Sequence, residues 1–184
     1  MSGNLIWVDV ETTGFDPDGD YVLEVAVAAT DERLQETAAR SFVVRPPSGV
    51  DLLKVMSAEA IAMHGSSGLL AEVAKGATAR DVGTADREIA RFLNQVGGAT
   101  ELDGFVMCGS SVHFDRGFFQ RHLPLSYLLF SHRVVDVSTL KTLLRLWVPD
   151  YPPFEPRRAH RAAADLRESL AELRQYRVKL FLFC

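Results

Sequence analysis

The feature that most constrains this chain is an apolar segment at residues 5–11, Leu-Ile-Trp-Val-Asp-Val-Glu, which carries two acidic residues. Five of its seven residues are apolar, which is typical of a buried strand rather than a surface strand. Side chains two apart in a strand share a face, so the carboxylates of Asp9 and Glu11 should lie side by side. Burying two like charges together is costly unless protons or metal ions neutralise them. The segment therefore predicts a divalent metal site at the sheet.

The composition favours one domain and argues against several classes of protein. With 184 residues, 47% of them hydrophobic, the chain can form a single domain, residues 1–184, with a full core. Its net charge of -4 argues against a protein that coats long nucleic acids, but it is compatible with a short anionic substrate. The two cysteines, Cys108 and Cys184, are too few for a disulfide framework. No segment predicts a signal peptide or a membrane span, so we expect a cytoplasmic protein without a membrane partner.

The hydrophobic patterns predict an α/β fold with a mixed sheet. Three strands come first, near residues 4–11, 21–29 and 40–45, and Asp16-Pro17-Asp18-Gly19 supplies the turn between the first two. Two further strands, near 105–108 and 133–137, are each followed by a helix. Other helices are predicted at 57–64, 66–76, 81–96 and from 160 onward. We therefore expect five strands, three antiparallel and then parallel strand–helix units, with helices on both faces.

Two local predictions concern the helices that follow the fifth strand. Ser138 is predicted to cap the helix that begins there. In the last helix, the apolar residues at helical spacing should form the core stripe. Glu168, Ser169 and Glu172 fall outside that stripe and are expected to face solvent.

Three residues downstream complete a set that can hydrolyse phosphodiesters. Asp115 follows the fourth strand, at a sheet edge where acidic and small polar residues are well placed for a site. Asp165 lies in the last helix, and His160 precedes it by five residues. Five residues turn an ideal helix by about 140°, so His160 is better placed in the Pro-rich loop or the first helical turn. Such carboxylates hold two divalent ions about 3.5–4 Å apart, and a nearby His takes the proton from the attacking water.

These motifs resemble those of the DEDDh 3′→5′ exonucleases. The resemblance is carried by Asp9-Val10-Glu11-Thr12-Thr13-Gly14, then Asp115, His160 and Asp165. Within that superfamily the chain is most similar to the oligoribonucleases, and the most specific matches are the segments 136–141 (Asp-Val-Ser-Thr-Leu-Lys) and 165–169 (Asp-Leu-Arg-Glu-Ser). The resemblance implies a ribonuclease H-like fold and a homodimer. It also implies that short single-stranded RNAs, dinucleotides above all, are degraded from the 3′ end to 5′-mononucleotides.

The resemblance also implies a role for each site residue. Two Mg²⁺ or Mn²⁺ ions would be bound by four acids, with His160 as the general base; the acids are Asp9, Glu11, Asp115 and Asp165. Three residues would enclose the 5′ phosphate of the substrate, namely Ser111, Arg133 and Ser138. Phe15 stands where the family has a leucine wedged beside the bases, and His64 matches a residue at the 3′ nucleotide.

Three positions and one short segment depart from the family pattern. Thr12 replaces a methionine, and Phe15 replaces the leucine. His132 replaces a tyrosine that reaches across the dimer. The segment 112–114, Val-His-Phe, replaces Ile-Gly-Gln.

Two alternative functions remain open from the sequence. The chain could be a DEDDh exonuclease acting on longer single-stranded DNA or RNA, which Thr12-Thr13 favours and the Arg133–Ser138 segment argues against. It could also be an inactive nucleotide-binding module on the same fold, although all five catalytic residue types are present. Taken singly, Asp115 would be an acid at a helix N-terminus, and Ser111 and Ser138 would be capping residues.

Overall fold

A six-stranded mixed sheet forms the centre of the fold. The computed structural model describes residues 5–97, 104–157 and 159–180, so Cys184 lies outside it. The strands are β1 (Leu5–Thr12), β2 (Val22–Thr30), β3 (Glu36–Arg45), β4 (Arg80–Asp81), β5 (Phe105–Gly109) and β6 (Phe130–Asp136). Their order across the sheet is β4-β3-β2-β1-β5-β6.

The strand directions confirm the predicted arrangement. β1 pairs antiparallel with β2, and β2 pairs antiparallel with β3. β5 runs parallel to β1, and β6 runs parallel to β5. The predicted number of five strands was wrong, because β4 adds a sixth by pairing with the end of β3. With only two residues, β4 is too short to carry a hydrophobic pattern.

Eight helices occur in the described part of the chain, and four of them begin at a residue whose side chain caps the helix. They are α1 (Leu52–Val55), α2 (Ala58–Ser66), α3 (Leu69–Lys75), α4 (Val82–Val96), α5 (His113–His122), α6 (Pro124–Tyr127), α7 (Val137–Trp147) and α8 (Ala162–Leu180). The Ser57 side chain caps α2 and the Asp81 side chain caps α4, each by accepting a hydrogen bond from a backbone N–H of the first turn. None of these helices has the length and hydropathy that crossing a bilayer requires.

The sheet is covered on both faces, and the two faces have different partners. On one face, Val8 of β1 packs in a cluster with Ile89 of α4 and Phe118 of α5. On the other face, Trp7 packs in a cluster with Leu166 and other apolar residues of α8. Fully burying one such aliphatic side chain contributes about 1.5–3 kcal/mol. Helix α8 is therefore held on the sheet by its core stripe, as predicted.

The prediction for the polar side of α8 was wrong at two positions. Ser169 and Glu172 are 7% and 3% exposed rather than solvent-facing. The carboxylate of Glu172 forms an ion pair of 2.9 Å with Nζ of Lys141 on α7, and it accepts a hydrogen bond from the Tyr176 hydroxyl. Because α7 covers this side of α8, periodicity along α8 alone does not reveal the burial.

Candidate active site

The end of β1 and the start of α8 bring three carboxylates together. Asp9 and Glu11 alternate with residues that face the α4 core, so they lie on the sheet face that Trp7 shares with α8. Asp165 projects from the first turn of α8. One oxygen from each of these three carboxylates lies within 4.8 Å of the others, a separation that a bound cation can bridge.

Asp115 reaches the same site from the first turn of α5. It is 4% exposed, and its Oδ1 accepts a hydrogen bond of 2.9 Å from the backbone N–H of Val10, between the two acids of β1. After burial itself, the charge of Asp115 is the largest cause that raises the pKa of Asp9. We call Asp9, Glu11, Asp115 and Asp165 the carboxylate cluster.

Burial raises the pKa of every member of the carboxylate cluster. It raises the pKa of Glu11 to about 8, with further contributions from the charges of Asp165 and Glu24. It raises the pKa of Asp115 to about 8, although the hydrogen bond from the Val10 N–H acts to lower that pKa. Loss of water likewise raises the pKa of Asp9 and of Asp165 above their usual values. Bound cations would stabilise the charged form of carboxyl groups gathered in this way.

The donor atoms fit divalent cations that prefer oxygen ligands. Carboxylate oxygens are the ligands of Mg²⁺ and Mn²⁺ in proteins. Oδ1 of Asp165 is buried and has no hydrogen-bond partner among the described residues. Since buried polar atoms in proteins are almost always partnered, this oxygen, on a carboxylate beside those of Asp9 and Glu11, indicates a ligand position.

His160 lies in the loop immediately before α8, as predicted, and its backbone is left-handed. Its φ of 52° is one of three positive values among the described non-glycine residues, and Ser111 has another. Burial and the charge of Glu168 raise the pKa of Asp165, and the charge of His160 opposes that rise. The structure therefore places the predicted base near a member of the carboxylate cluster.

A pocket of about 360 Å³ opens beside Glu11, and His64 lies beneath it. His64 is fully buried. Its Nε2 lies 2.9 Å from the carbonyl oxygen of Thr12, so Nε2 carries a proton and donates it. Its Nδ1 lies 3.8 Å from Oε2 of Glu11. Burial lowers the pKa of His64. His64 therefore packs under the Glu11–Thr12 end of β1 and holds it in place.

The turn after β1 requires glycine at position 14. A Cβ on Gly14 would come within 2.4 Å of Oδ2 of Asp20. Asp20 cannot easily move, because its carboxylate accepts hydrogen bonds of 2.8 Å from Oγ1 of Thr13 and 3.0 Å from the backbone N–H of Asp16. The turn is thereby held against the end of β1.

Phe15 stands at the rim of the pocket, next to this turn. It is 89% exposed, and its ring packs edge-to-face with Phe114 at a centroid distance of 5.8 Å. Both rings line the pocket beside Glu11. An exposed aromatic ring in this place can stack on a nucleobase.

Three serine hydroxyls gather at the N-terminus of α7. Oγ of Ser138 lies 2.9 Å from Oγ of Ser110 and 3.0 Å from Oγ of Ser111. Asp136, not Ser138, caps α7; its Oδ1 accepts hydrogen bonds of 2.9 Å from the backbone N–H groups of Ser138 and Ser111. The prediction of Ser138 as the cap was wrong because Asp is an equally good cap and stands two residues earlier. Hydroxyls beside a helix N-terminus can bind an anion.

The structure brings two of the three predicted phosphate ligands together and places the third on an adjoining strand. Ser111 and Ser138 are in contact. Arg133 is exposed on β6, the strand that leads into Asp136 and α7. His132, its neighbour, is exposed as well.

Comparison with known proteins assigns the chain to a family. A family model described as exonuclease (RNase T) matches residues 6–173. The oligoribonuclease of Streptomyces avermitilis is 36% identical over 185 residues, which cover 99% of this chain and 89% of the relative. The oligoribonuclease of Aromatoleum aromaticum is 40% identical over 179 residues, which cover 95% of this chain and 92% of the relative. The chain belongs to the oligoribonuclease family.

Solved structures with the same fold extend beyond the oligoribonuclease family. E. coli exonuclease I, in a zinc-bound complex with single-stranded DNA, matches with a TM-score of 0.74 at 15% identity. Exonuclease I of Methylocaldum szegediense matches with a TM-score of 0.71 at 18% identity. This chain is covered to 99% and 98%, but it spans only 42% and 41% of those chains. The likeness confirms the predicted ribonuclease H-like α/β fold.

Sequence reasoning missed several residues of this oligoribonuclease-family site. Glu24 is the one acid in β2, a strand in which every residue is buried, and it pairs with Glu11 across the sheet. Arg161, the residue after His160, donates hydrogen bonds to Glu24. The signal was available for Glu24, because a lone acid in an apolar strand requires a charged partner. Phe114 gave no such signal, since an aromatic residue near a helix start is usually core.

Proposed function

We propose that this chain hydrolyses very short single-stranded RNAs, dinucleotides above all, from the 3′ end to 5′-mononucleotides. The observation that carries the proposal is the convergence of Asp9, Glu11 and Asp165 within 4.8 Å, in a chain of the oligoribonuclease family. The adjoining pocket, with an exposed aromatic ring at its rim, has the character of a nucleotide site.

In this proposal the carboxylate cluster binds two divalent cations, Mg²⁺ or Mn²⁺. Bound there, they would neutralise charge on the phosphoryl group and lower the pKa of the attacking water. His160 acts as the general base and accepts the proton of that water on a ring nitrogen. Its position in the loop before α8, near Asp165, supports this role.

Substrate length is limited where the hydroxyls of Ser110, Ser111 and Ser138 meet. Ser111 and Ser138 donate hydrogen bonds to the 5′ phosphate at the N-terminus of α7, and Arg133 presents its planar guanidinium to the same group. A site that encloses a terminal phosphate leaves no path for a longer strand. Phe15 stacks on a base, and His64 supports the pocket wall at the 3′ nucleotide.

The active form in this proposal is a cytoplasmic homodimer. Leu146, Trp147 and Val148 are consecutive in sequence at the end of α7 and are 70%, 73% and 45% exposed. Contiguous exposed apolar residues favour an interface between subunits. A solution mass of 20.4 kDa at the concentrations used for assay would contradict the dimer.

Substrate length provides the direct test of the proposed activity. We expect rapid turnover of a 5′-labelled RNA dinucleotide and little turnover of an RNA or DNA strand of about 20 nucleotides. Activity should require Mg²⁺ or Mn²⁺ and should stop when a chelator is added. Equal turnover of the long strand would instead support a general single-strand exonuclease. Absence of turnover on every strand would support an inactive binding module.

The proposed contact between the 5′ phosphate and the Ser138 hydroxyl can be tested directly. Removing that phosphate from the dinucleotide should lower kcat/KM of the wild type by about 10–100-fold, because charge-assisted hydrogen bonds are lost. In Ser138→Ala the same removal should have a smaller effect. Thr139→Ala, at an exposed neighbour on the same helix, should behave like the wild type. Equal phosphate effects in Ser138→Ala and Thr139→Ala would contradict the assignment.

A further inference from the structure

Glu24 is a buried acid whose position needs an explanation. It is 2% exposed, and it lies directly opposite Glu11 in the β1–β2 pairing. A carboxylate next to the carboxylate cluster adds repulsion to a site that is already crowded with negative charge. Such a group persists in a protein interior only when it is paired and fully hydrogen-bonded.

Arg161 provides that pairing and is itself held from both sides. Its Nε and Nη2 each donate a hydrogen bond of 3.0 Å to the carboxylate of Glu24. Its Nη1 and Nη2 donate hydrogen bonds of 2.9 and 3.1 Å to the carboxylate of Glu72 on α3. Both contacts are bidentate, so the guanidinium has one orientation between two acids. We call Glu24, Arg161 and Glu72 the arginine clamp.

The arginine clamp acts on the backbone that carries the catalytic groups. Glu24 also accepts a hydrogen bond of 3.0 Å from the backbone N–H of Ala162, the first residue of α8. The carbonyl of Arg161 accepts a hydrogen bond of 3.0 Å from the backbone N–H of Asp165. The chain is therefore tied to β2 at the point where α8 begins.

The backbone of His160 needs such support. It immediately precedes Arg161 and has a φ of 52°, a left-handed conformation that costs free energy for a residue with a side chain. A strained residue keeps its conformation only when its surroundings impose it. The side chain of Arg161, bonded to Glu24 on one side and to Glu72 on the other, can hold the backbone of His160 in this conformation.

We propose that Arg161, held between Glu24 and Glu72, is a positioning residue that keeps His160 over the carboxylate cluster. Arg161 acts through the backbone of its neighbour and does not touch the substrate. The inference rests on the proposed function for its activity measurements, but the position of the loop can be measured without any substrate.

The variant that tests this inference is Glu72→Gln. The Glu72 side chain is 42% exposed and lies outside the core, so the variant should fold, and the pair between Arg161 and the buried Glu24 remains. We expect kcat for the dinucleotide to fall about 10-fold or more, because small displacements of a catalytic group are costly. KM and Tm should stay close to the wild-type values. Amide hydrogen exchange in the segment 159–165 should become faster.

The chain offers a matched control farther along, on α8 itself. Arg167 forms a bidentate pair with Glu36, with hydrogen bonds of 3.0 and 3.1 Å. Glu36→Gln therefore removes the same kind of contact from α8, two turns away from His160. It should leave kcat and the exchange of 159–165 unchanged. Arg161→Lys keeps the charge but lacks the planar fork, so it should lower kcat as Glu72→Gln does.

Three results would overturn the inference. One is an unchanged kcat in Glu72→Gln, and another is an equal loss of kcat in Glu72→Gln and Glu36→Gln. The third is unchanged exchange at 159–165 in Glu72→Gln. If the wild type itself does not cleave dinucleotides, the proposed function fails, while the exchange comparison of the two variants still decides the role of the arginine clamp.

Discussion

Removing divalent cations should make the stability of this protein fall as the pH rises. In the cation-free protein, burial raises the pKa of Glu11 from 4.5 to about 8, so the folded state retains a proton that the unfolded state releases. Below the unfolded pKa both states are protonated, and the full stability is present. As the pH rises through the folded pKa, this stability is lost. The change should therefore occur between pH 4.5 and about 8.

The expected magnitude follows from the difference between those two pKa values. It is about 3.5 pH units, which at about 1.4 kcal/mol per unit gives an upper limit of about 5 kcal/mol for Glu11 alone. Water in the adjoining pocket and small movements of the carboxyl groups reduce this limit. We expect the free energy of unfolding to fall by about 1–3 kcal/mol between about pH 5 and about pH 8. Saturating Mg²⁺ or Mn²⁺ should remove most of the fall, because the cation replaces the proton as counter-charge.

Urea unfolding with tryptophan fluorescence measures this effect, since Trp7 is fully buried beside the site. The assay compares chelated and Mg²⁺-loaded protein at both pH values. Glu11→Gln is the matched control, because it keeps the shape of the side chain and removes its charge. In chelator, this variant should lose less stability with rising pH than the wild type. Equal stability of the chelated wild type at both pH values, or the same pH dependence in Glu11→Gln, would refute the reasoning.

Three further predictions concern single substitutions. Asp165→Asn should reduce hydrolysis of the dinucleotide by at least about 1,000-fold. The Tm of the chelated protein should stay the same or rise, because a repelling charge is removed. Wild-type activity in this variant would exclude Asp165 as a ligand. Gly14→Ala should lower the free energy of unfolding by about 1–3 kcal/mol, because the added Cβ displaces Asp20 from its two hydrogen bonds. An unchanged midpoint of urea unfolding would show that the turn adapts. Phe15→Ala should raise KM for the dinucleotide about 5–100-fold without changing Tm, since the ring is exposed; an unchanged KM would argue against base stacking.

The sequence predicted those parts of the fold and site that depend on local periodicity. Strand alternation correctly predicted that Asp9 and Glu11 share a face, and the apolar flank predicted the buried strand around them. The core stripe of α8 was predicted from helical spacing in the same way. His160 was placed before α8 because five residues on a helix would turn it away from Asp165.

The remaining features depend on contacts between distant parts of the chain. Glu172 is buried because α7, which carries its partner Lys141, covers that side of α8. No pattern within α8 contains that information. The pairing of Glu24 with Arg161 joins β2 to the loop before α8 and appears only in three dimensions. The capping of α7 was misassigned for a different reason, because Asp136 and Ser138 are equally good candidates and only geometry separates them.

The carboxylate cluster combines acids of the first strand with an acid of the last described helix, and this has a consequence for synthesis. During translation β1 leaves the ribosome long before α8 exists. Until α8 docks, the nascent chain lacks Asp165 and the apolar surface around Trp7 is uncovered. If Asp165 is a metal ligand, as proposed, a partly made chain cannot degrade RNA in the polysome around it. In the same proposal, the return of cleavage after dilution from denaturant would report the docking of α8.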